Sequence, residues 1–112
     1  MTVIEDYSFG RIVIDGEEFD EDVILLGEKI IEGWWRERGH SVNKKDIETI
    51  LDFDPDILIL GTGSSGNMKV PRSLSKRLDF EVESYPTKNA IKRYNELLKE
   101  NKKVAGGFHL TC

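Results

Sequence analysis

A glycine-rich stretch, GTGSSG at residues 61–66, contains the residue types that most directly suggest chemistry. It follows the apolar run DPDILIL and matches the pattern G-x-G-x-x-G, which in dinucleotide-binding folds joins a strand to a helix. Glycines allow backbone N–H groups to point at a bound anion. The stretch therefore suggests a dinucleotide site, a site for another anion, or only a turn in the chain.

The spacing after the glycines argues against a dinucleotide site. In that fold the third glycine opens the helix whose N-terminus faces the pyrophosphate. Here NMKV separates Gly66 from Pro71, the expected start of the next helix. The acids about 20 residues further on, Glu81 and Glu83, fall inside a predicted strand instead of at its end. Too little chain follows for a second mononucleotide-binding half, so no cofactor is predicted.

Two interpretations stay open: a nest for a small anion, and a plain strand-to-helix connection that needs glycines for its turns. Hydroxyl groups in the loop and the charge of Lys69 would supplement the backbone donors. Open α/β sheets also place ligands at the carboxyl ends of their strands. The predicted ligand-binding residues are Gly61, Thr62, Gly63, Ser64, Ser65, Gly66 and Lys69.

Two histidines and one cysteine, the final residue of the sequence, suggest a thiol or metal site. In a strand, His109 and Cys112 would lie on opposite faces, which argues against a direct pair, although His40 could approach either. Three ligands without a spacing motif do not predict zinc, so no metal is predicted. Each histidine is instead expected to be a hydrogen-bonded structural residue. The additional pocket candidates are His40, Thr87, Asn95, His109 and Cys112.

The elements that would position these residues change along the chain. The first third predicts strands, with Asp15-Gly16 as a tight hairpin turn. The remainder alternates helices with strands, and the run DILIL predicts a strand covered on both faces. Asn43 and Thr87 are predicted helix N-caps, and Pro71 the first residue of a short helix. Strands separated by helices predict parallel neighbours, and a β-rich N-terminal part packed on an α/β unit in one domain is the simplest arrangement.

Composition restricts the class of protein. Apolar content is 38% and charged content 33%, and no apolar run approaches the roughly 18 residues that span a bilayer. The acidic N-terminal segment does not resemble a signal peptide, so we expect a cytoplasmic protein without membrane partners. The net charge of −5 argues against nucleic-acid binding. The lack of glutamine and the abundance of lysine and glutamate suggest a thermophile protein of high thermal stability.

Three ordered motifs carry a resemblance to a known family. These are GWWRERGHSVNKKDI, DPDILILGTGSSGNMKVP and PTKNAIKRYNELLKENKKVAGGFHLTC. The chain resembles the Mth-domain family (Mth nine-thirty-eight), and closely its short prokaryotic branch, whose pattern G-T-G-x-x-G-x-M-K-V-P falls on residues 61–71 and H-L-T-C on residues 109–112. Its animal relatives include the adipogenesis-associated Mth-domain protein and, distantly, a mitochondrial complex I assembly factor. The resemblance covers nearly all of residues 1–112.

The resemblance implies one compact α/β domain with a mixed central sheet, flanking helices and an N-terminal β layer. It implies no particular reaction. The leading hypothesis is a non-enzymatic protein that binds a small anion or a protein partner at residues 61–69. One alternative is an enzyme acting on a small anionic metabolite through Cys112, His40 or Lys69, although no nucleophile–base pair is visible. Another is an assembly or scaffold protein with an exposed tryptophan, since Trp34 and Trp35 would lie on opposite sides of a strand. The sequence does not predict an oligomeric state.

Overall fold

The N-terminal part of the computed structural model, which describes residues 2–112, is a three-stranded antiparallel meander. It consists of β1 (Ile4–Ser8), β2 (Arg11–Ile14) and β3 (Glu17–Phe19). Asp15 and Gly16 turn the chain between β2 and β3 with φ values of 49° and 81°. Positive φ at both positions is the geometry of a two-residue hairpin turn, which confirms the predicted role of this Asp-Gly pair.

A second, mixed sheet forms the centre of the molecule, with strand order β5-β4-β8-β6-β7. β4 pairs antiparallel with both β5 and β8, whereas β6 runs parallel to β8 and β7. The two parallel pairs are joined through helices, as predicted. The strand bounds are β4 (Val23–Leu26), β5 (Lys29–Glu32), β6 (Ile57–Thr62), β7 (Glu81–Tyr85) and β8 (Val104–His109).

The helices are α1 (Glu48–Phe53), α2 (Arg72–Lys76) and α3 (Thr87–Lys99), and a 3-10 turn at Lys44–Ile47 precedes α1. Asn43 caps that turn through a reciprocal capping box with Asp46, as predicted. The two proline-associated starts differ from prediction by one residue. Pro71 is the cap before α2, and Pro86 takes the cap position before α3, so that Thr87 lies inside the helix. This shift leaves the Thr87 hydroxyl group available for contacts outside α3.

Both faces of the mixed sheet are covered, which explains why DILIL is continuously apolar. One face packs against α3 and the meander through the alternate residues Ile57, Ile59, Val104 and Phe108. The opposite face packs against α1, α2 and Trp34 through Leu58, Leu60 and Ala105. The predicted α/β domain with a mixed sheet, flanking helices and an N-terminal β layer is therefore confirmed.

One tryptophan is buried and the other exposed, but the predicted strand through the pair is wrong, because β5 ends at Glu32. The side chain of Trp34 is buried (6% exposed) and its indole N–H donates to the backbone oxygen of Asp46 at 2.8 Å. Trp35 is 75% exposed. Trp34 thus anchors the chain that follows β5 to the core, and the side chains of Arg36 and His40 beyond it contact His109 at the end of β8.

Candidate functional site

The glycine-rich stretch and the end of β8 lie side by side at one edge of the mixed sheet. Thr62 at the end of β6 is in register with His109 at the end of the parallel strand β8. Parallel strands of an α/β sheet carry ligands at this carboxyl edge. Two groups of residues meet here: the loop that leaves β6, and a buried charged cluster built around His109.

Most backbone donors of the glycine loop, those of Gly63, Ser64, Gly66 and Asn67 among them, are paired within the chain. The N–H of Ser64 donates to the backbone oxygen of Thr111 at 2.6 Å, and that of Asn67 to the backbone oxygen of Cys112 at 3.1 Å. Gly66 donates to Gly63 at 3.2 Å, closing a turn. The loop therefore wraps around residues 111–112, and an anion would reach these amides only by displacing that segment.

Gly63 is required for this close approach. Its φ is +104°, and a Cβ atom built on it would lie 2.3 Å from the backbone carbon of Cys112. No L-residue fits both the dihedral angle and the space. The glycine pattern at this position is thus explained by contact between two backbone segments.

Thr87 connects the loop to the end of β8. Its hydroxyl group accepts a hydrogen bond from the N–H of Gly63 at 2.8 Å and donates one to the backbone oxygen of His109 at 2.5 Å. The predicted N-cap role is wrong because Pro86 occupies the cap position and the hydroxyl is engaged in this bridge. On the far side of the loop, the Thr62 hydroxyl donates to the backbone oxygen of Tyr85 at 2.9 Å.

A charged cluster of two buried side chains, Arg36 and His109, and the half-buried Asp22 lies on the sheet face that carries Trp34. The carboxylate of Asp22 accepts from Arg36 Nη2 at 2.7 Å, from His109 Nδ1 at 2.7 Å and from the N–H of Leu110 at 2.8 Å. Burial by itself raises the pKa of Asp22, but the hydrogen bonds from His109, Leu110 and Arg36 outweigh burial and leave that pKa below its ordinary value. Asp22 is therefore a charged hydrogen-bond acceptor that holds the side chains of Arg36 and His109 in place.

Arg36 is fixed on three sides yet keeps one free nitrogen. Nε donates to the backbone oxygen of Gly39 at 3.1 Å, Nη2 binds Asp22, and the guanidinium carbon lies 4.6 Å from the ring centroid of Trp34. The side chain is 5% exposed. Its Nη1 is buried and has no hydrogen-bond partner among residues 2–112. A buried guanidinium donor without an acceptor is unusual, because such groups are nearly always satisfied.

His109 shows the same feature. Its side chain is 8% exposed, Nδ1 faces Asp22, and Nε2 is buried without a hydrogen-bond partner in the described part of the chain. The ring of His40 packs edge-on against it at a centroid distance of 6.0 Å. Residues 37–40 are exposed, and this segment contacts the cluster through Gly39, which accepts from Arg36, and through His40. Two buried nitrogens without hydrogen-bond partners thus belong to side chains that contact one surface segment.

The loop and the cluster are joined through this segment. The N–H of Lys69 donates to the backbone oxygen of His40 at 2.6 Å, and the N–H of Val42 donates to that of Lys69 at 3.0 Å. Lys69 is exposed. Its charge lies on the chain segment that borders His40, which places a cationic side chain at the margin of the buried cluster.

Most of the predicted site residues meet at this edge, with one exception. The residues of the loop, His40, Lys69, Thr87, His109 and the backbone of Cys112 converge there. Asn95 does not, because both ends of its side-chain amide bind the backbone of Ile4, at 3.2 Å and 2.8 Å. Asn95 therefore ties α3 to the meander.

The expected geometry of His109 and Cys112 also needs correction. The two residues do not share a strand, because β8 ends at His109 and residues 110–112 lie outside it. The Cys112 side chain is exposed and free. Within residues 2–112 no group of three or more histidine, cysteine, aspartate or glutamate side chains is placed to hold a metal ion.

Sequence reasoning missed Asp22 and Arg36. Asp22 is the last residue of the acidic run DGEEFDED, which resembles a solvated segment, and Arg36 is one of two arginines in GWWRERG. Neither pattern distinguishes the buried charge from its exposed neighbours. The available signal was the position of Asp22 immediately before a buried strand and of Arg36 two residues after a buried tryptophan.

Fold and site together define a class: a small α/β domain with a buried Asp–Arg–His cluster at the carboxyl edge of a mixed sheet. The family described as "Protein of unknown function (DUF498/DUF598)" matches residues 4–109, and the chain belongs to that family. No helix among residues 2–112 is long and apolar enough to cross a membrane.

Several solved structures share the fold over nearly the whole chain, including the following two. The conserved hypothetical protein PH1505 from Pyrococcus horikoshii OT3 is 32% identical, with a TM-score of 0.83 and coverage of 97% of this chain and 98% of that one. The structure named MT938 is 27% identical, with a TM-score of 0.81 and full coverage of both chains. This similarity confirms the resemblance to the Mth-domain family.

A sequence relative has a different description. The "13 kDa major membrane protein" of Francisella tularensis subsp. holarctica (strain LVS) is 24% identical over 104 residues, which cover 90% of this chain and 85% of the relative. Its name describes that protein and assigns neither a ligand nor a reaction.

Proposed function

We propose that the protein binds a small anion at the carboxyl edge of the mixed sheet, beside residues 61–69. The observation that carries the proposal is the pair of buried nitrogens without partners, Nη1 of Arg36 and Nε2 of His109. Leaving a buried donor or acceptor unpaired costs about 1–3 kcal/mol. A ligand that forms hydrogen bonds with both nitrogens recovers this free energy, and the recovered free energy favours binding beside Arg36 and His109.

Charge supports an anion as the ligand. The guanidinium of Arg36 can only donate hydrogen bonds, so its free nitrogen needs an acceptor. Asp22 neutralises one cationic charge of the cluster, and the exposed Lys69 side chain adds another at its margin. An oxyanion satisfies the free donor and is attracted by the added charge.

The glycine loop has a supporting role in this proposal. Its amides at Gly63, Ser64 and Asn67 are held by Thr87 and by residues 111–112, so the loop shapes the edge and positions Lys69. The two free nitrogens are buried, and the segment 37–41 contacts their side chains through Gly39 and His40, so this segment is proposed to move aside on binding. The tie from Arg36 Nε to Gly39 and the tie from Lys69 to His40 are the contacts that would open.

An NMR titration with inorganic phosphate tests the proposal. We expect backbone shifts at residues 36–41 and 109, with smaller shifts at residues 61–69. Arg36→Gln should abolish them. Arg93→Gln is the matched control because Arg93 also pairs with a carboxylate, Glu83, but away from this edge. Shifts confined to other surfaces, or unchanged in Arg36→Gln, would refute binding at this site.

A further variant covers the case in which Arg36→Gln fails to fold. Lys69 is exposed, so Lys69→Ala should fold normally. Loss of one nearby charge should weaken phosphate binding by about two- to fivefold, as for an exposed charge pair. Phosphate affinity unchanged in Lys69→Ala would remove Lys69 from the site.

The second candidate function is an enzyme acting on a small anionic metabolite. The observation that favours it is the Asp22–His109 pair, because a carboxylate on Nδ1 orients the other imidazole nitrogen as a general base. The substrate would place its anionic group at Arg36 and its reacting proton at Nε2 of His109. Turnover of small phosphate esters or carboxylic acids, followed by NMR and lost in His109→Gln, distinguishes this candidate from simple binding.

A further inference from the structure

We infer that the ligand is an oxyanion that also carries an O–H group, such as hydrogen phosphate, because the buried cluster offers one donor and one acceptor. This inference rests on the proposed anion binding and names the chemical class of the ligand. Three points support it: which nitrogen of the His109 ring carries the proton, where Arg36 Nη1 and His109 Nε2 lie, and the free-energy cost of leaving a buried acceptor unpaired.

The contacts of Asp22 determine which nitrogen of His109 carries the proton. Asp22 Oδ2 lies 2.7 Å from Nδ1. The lowered pKa of Asp22 keeps it ionised, and an ionised carboxylate only accepts hydrogen bonds. The proton of the neutral ring therefore resides on Nδ1, and Nε2 presents a lone pair.

The approach of Arg36 agrees with this tautomer. Nη2 donates to Asp22 Oδ2 at 2.7 Å, and its 3.1 Å separation from His109 Nδ1 is a contact between two donors that share one acceptor. The free Nη1 is one carbon atom away from Nη2, and the free Nε2 is one carbon atom away from Nδ1. The inner nitrogens lie 3.1 Å apart and each outer nitrogen is only one carbon atom further, so one small ligand is inferred to lie against both outer nitrogens.

Two tetrahedral oxyanions, hydrogen phosphate and sulfate, differ in whether they can donate a hydrogen bond to His109 Nε2. Hydrogen phosphate can accept from Arg36 Nη1 with one oxygen and donate its own O–H to His109 Nε2. Sulfate has the same shape and, under mildly alkaline conditions, the same charge, but it has no proton to donate. Bound sulfate would place an oxygen lone pair against the Nε2 lone pair and leave a buried acceptor unpaired, which is a strong basis for discrimination.

The first measurement compares the two anions by NMR titration of the wild-type protein under mildly alkaline conditions. We expect phosphate to bind about tenfold or more tightly than sulfate. In His109→Gln, whose amide can donate or accept, the preference should fall to about onefold. Equal binding of both anions to the wild type overturns this inference while leaving the proposed anion site intact. Failure of both anions to bind overturns the proposed function as well.

The second measurement reads the tautomer without any ligand. Imidazole ¹⁵N shifts should show His109 protonated at Nδ1. His40, the other histidine of the chain, is exposed and serves as the internal reference. A His109 ring protonated at Nε2 would overturn the inference. The site would then present two hydrogen-bond donors and would bind sulfate as tightly as phosphate.

Discussion

The glycine loop and the Asp22–Arg36–His109 cluster lie at the same edge of the sheet but differ in how their polar groups are satisfied. The loop has the conspicuous motif, and its amides at Gly63, Ser64 and Asn67 are bound to Thr87 and to residues 111–112. The cluster has no sequence motif, and it leaves two buried nitrogens without partners among residues 2–112. A glycine-rich pattern can therefore reflect close backbone packing, whereas a ligand site is indicated by polar groups that the chain itself does not satisfy.

Gly63→Val tests the structural role of the loop and should have the largest effect. The new side chain would meet both the backbone of Cys112 and a φ of +104°. We expect the free energy of unfolding to fall by about 3–6 kcal/mol from the combined strain and overpacking. Urea unfolding measures it. Gly16→Ala is the control, because Gly16 has a φ of +81° but nothing near its added Cβ, so it should lose only about 1–2 kcal/mol.

Asp22→Ala tests the cluster and should have the next largest effect. It leaves the guanidinium of Arg36 buried without its carboxylate and removes the acceptor of the Leu110 N–H. We expect a loss of about 2–4 kcal/mol in the free energy of unfolding, since the Asp22 side chain is partly solvated. Glu83→Ala, which breaks the more exposed pair with Arg93, should cost less than about 1 kcal/mol. Equal losses in both variants would contradict the importance of burial.

The pH dependence of that loss sharpens the same comparison. A carboxyl group whose pKa is lower in the folded state stabilises the fold above its unfolded pKa and loses this contribution as the pH falls through the folded pKa. The pKa of Asp22 lies below its ordinary value of 3.8. The stability difference between wild type and Asp22→Ala should thus be complete at neutral pH and shrink below about pH 4. A difference that grows on acidification would show that the carboxylate is not what stabilises the cluster.

Thr87→Val tests the connection between the two regions. Valine has nearly the same shape but cannot accept from Gly63 or donate to the backbone oxygen of His109. We expect a loss of about 2 kcal/mol in the free energy of unfolding. Thr62→Val removes a single hydrogen bond, to Tyr85, and should cost about half as much. A Thr87→Val protein as stable as wild type would mean that the loop and β8 are held together by backbone contacts alone.

Cys112→Ser should have the smallest effect, near zero in the free energy of unfolding. The backbone of Cys112 accepts from Asn67, but its side chain is exposed and free. The substitution keeps that backbone contact and changes only the thiol. Thermal unfolding of the variant and the wild type should coincide. A clear loss of stability would show that the thiol group itself contributes to packing at this edge.

Much of the architecture was predictable because local patterns specify it. The Asp15-Gly16 turn, the Asn43 cap and the buried strand DILIL each depend on neighbours close in sequence, and the structure confirms all three. The Thr87 cap was wrong because the adjacent Pro86 takes the cap position. The expectation of high thermal stability, which came from composition, stays a prediction.

The site was predictable only in part. His40, Lys69, Thr87 and His109 were identified as candidates, whereas Asp22 and Arg36 were not. The contact from Asp22 to His109 joins residues 87 positions apart, and that from Arg36 to His109 joins residues 73 positions apart. The sequence around Asp22 or Arg36 contains no local pattern that indicates contact with a residue as distant as His109.

By itself, the sequence determined the class of fold and the elements, because hydrophobic periodicity, turn residues and caps act over a few residues. Only the tertiary structure decided which polar groups are buried, which are paired and which remain free. Burial and pairing depend on the packing of segments distant in the chain, and they set the free energy available for a ligand. The same packing binds the glycine loop to the backbone of residues 111–112. It also leaves Arg36 Nη1 and His109 Nε2 without hydrogen-bond partners among residues 2–112.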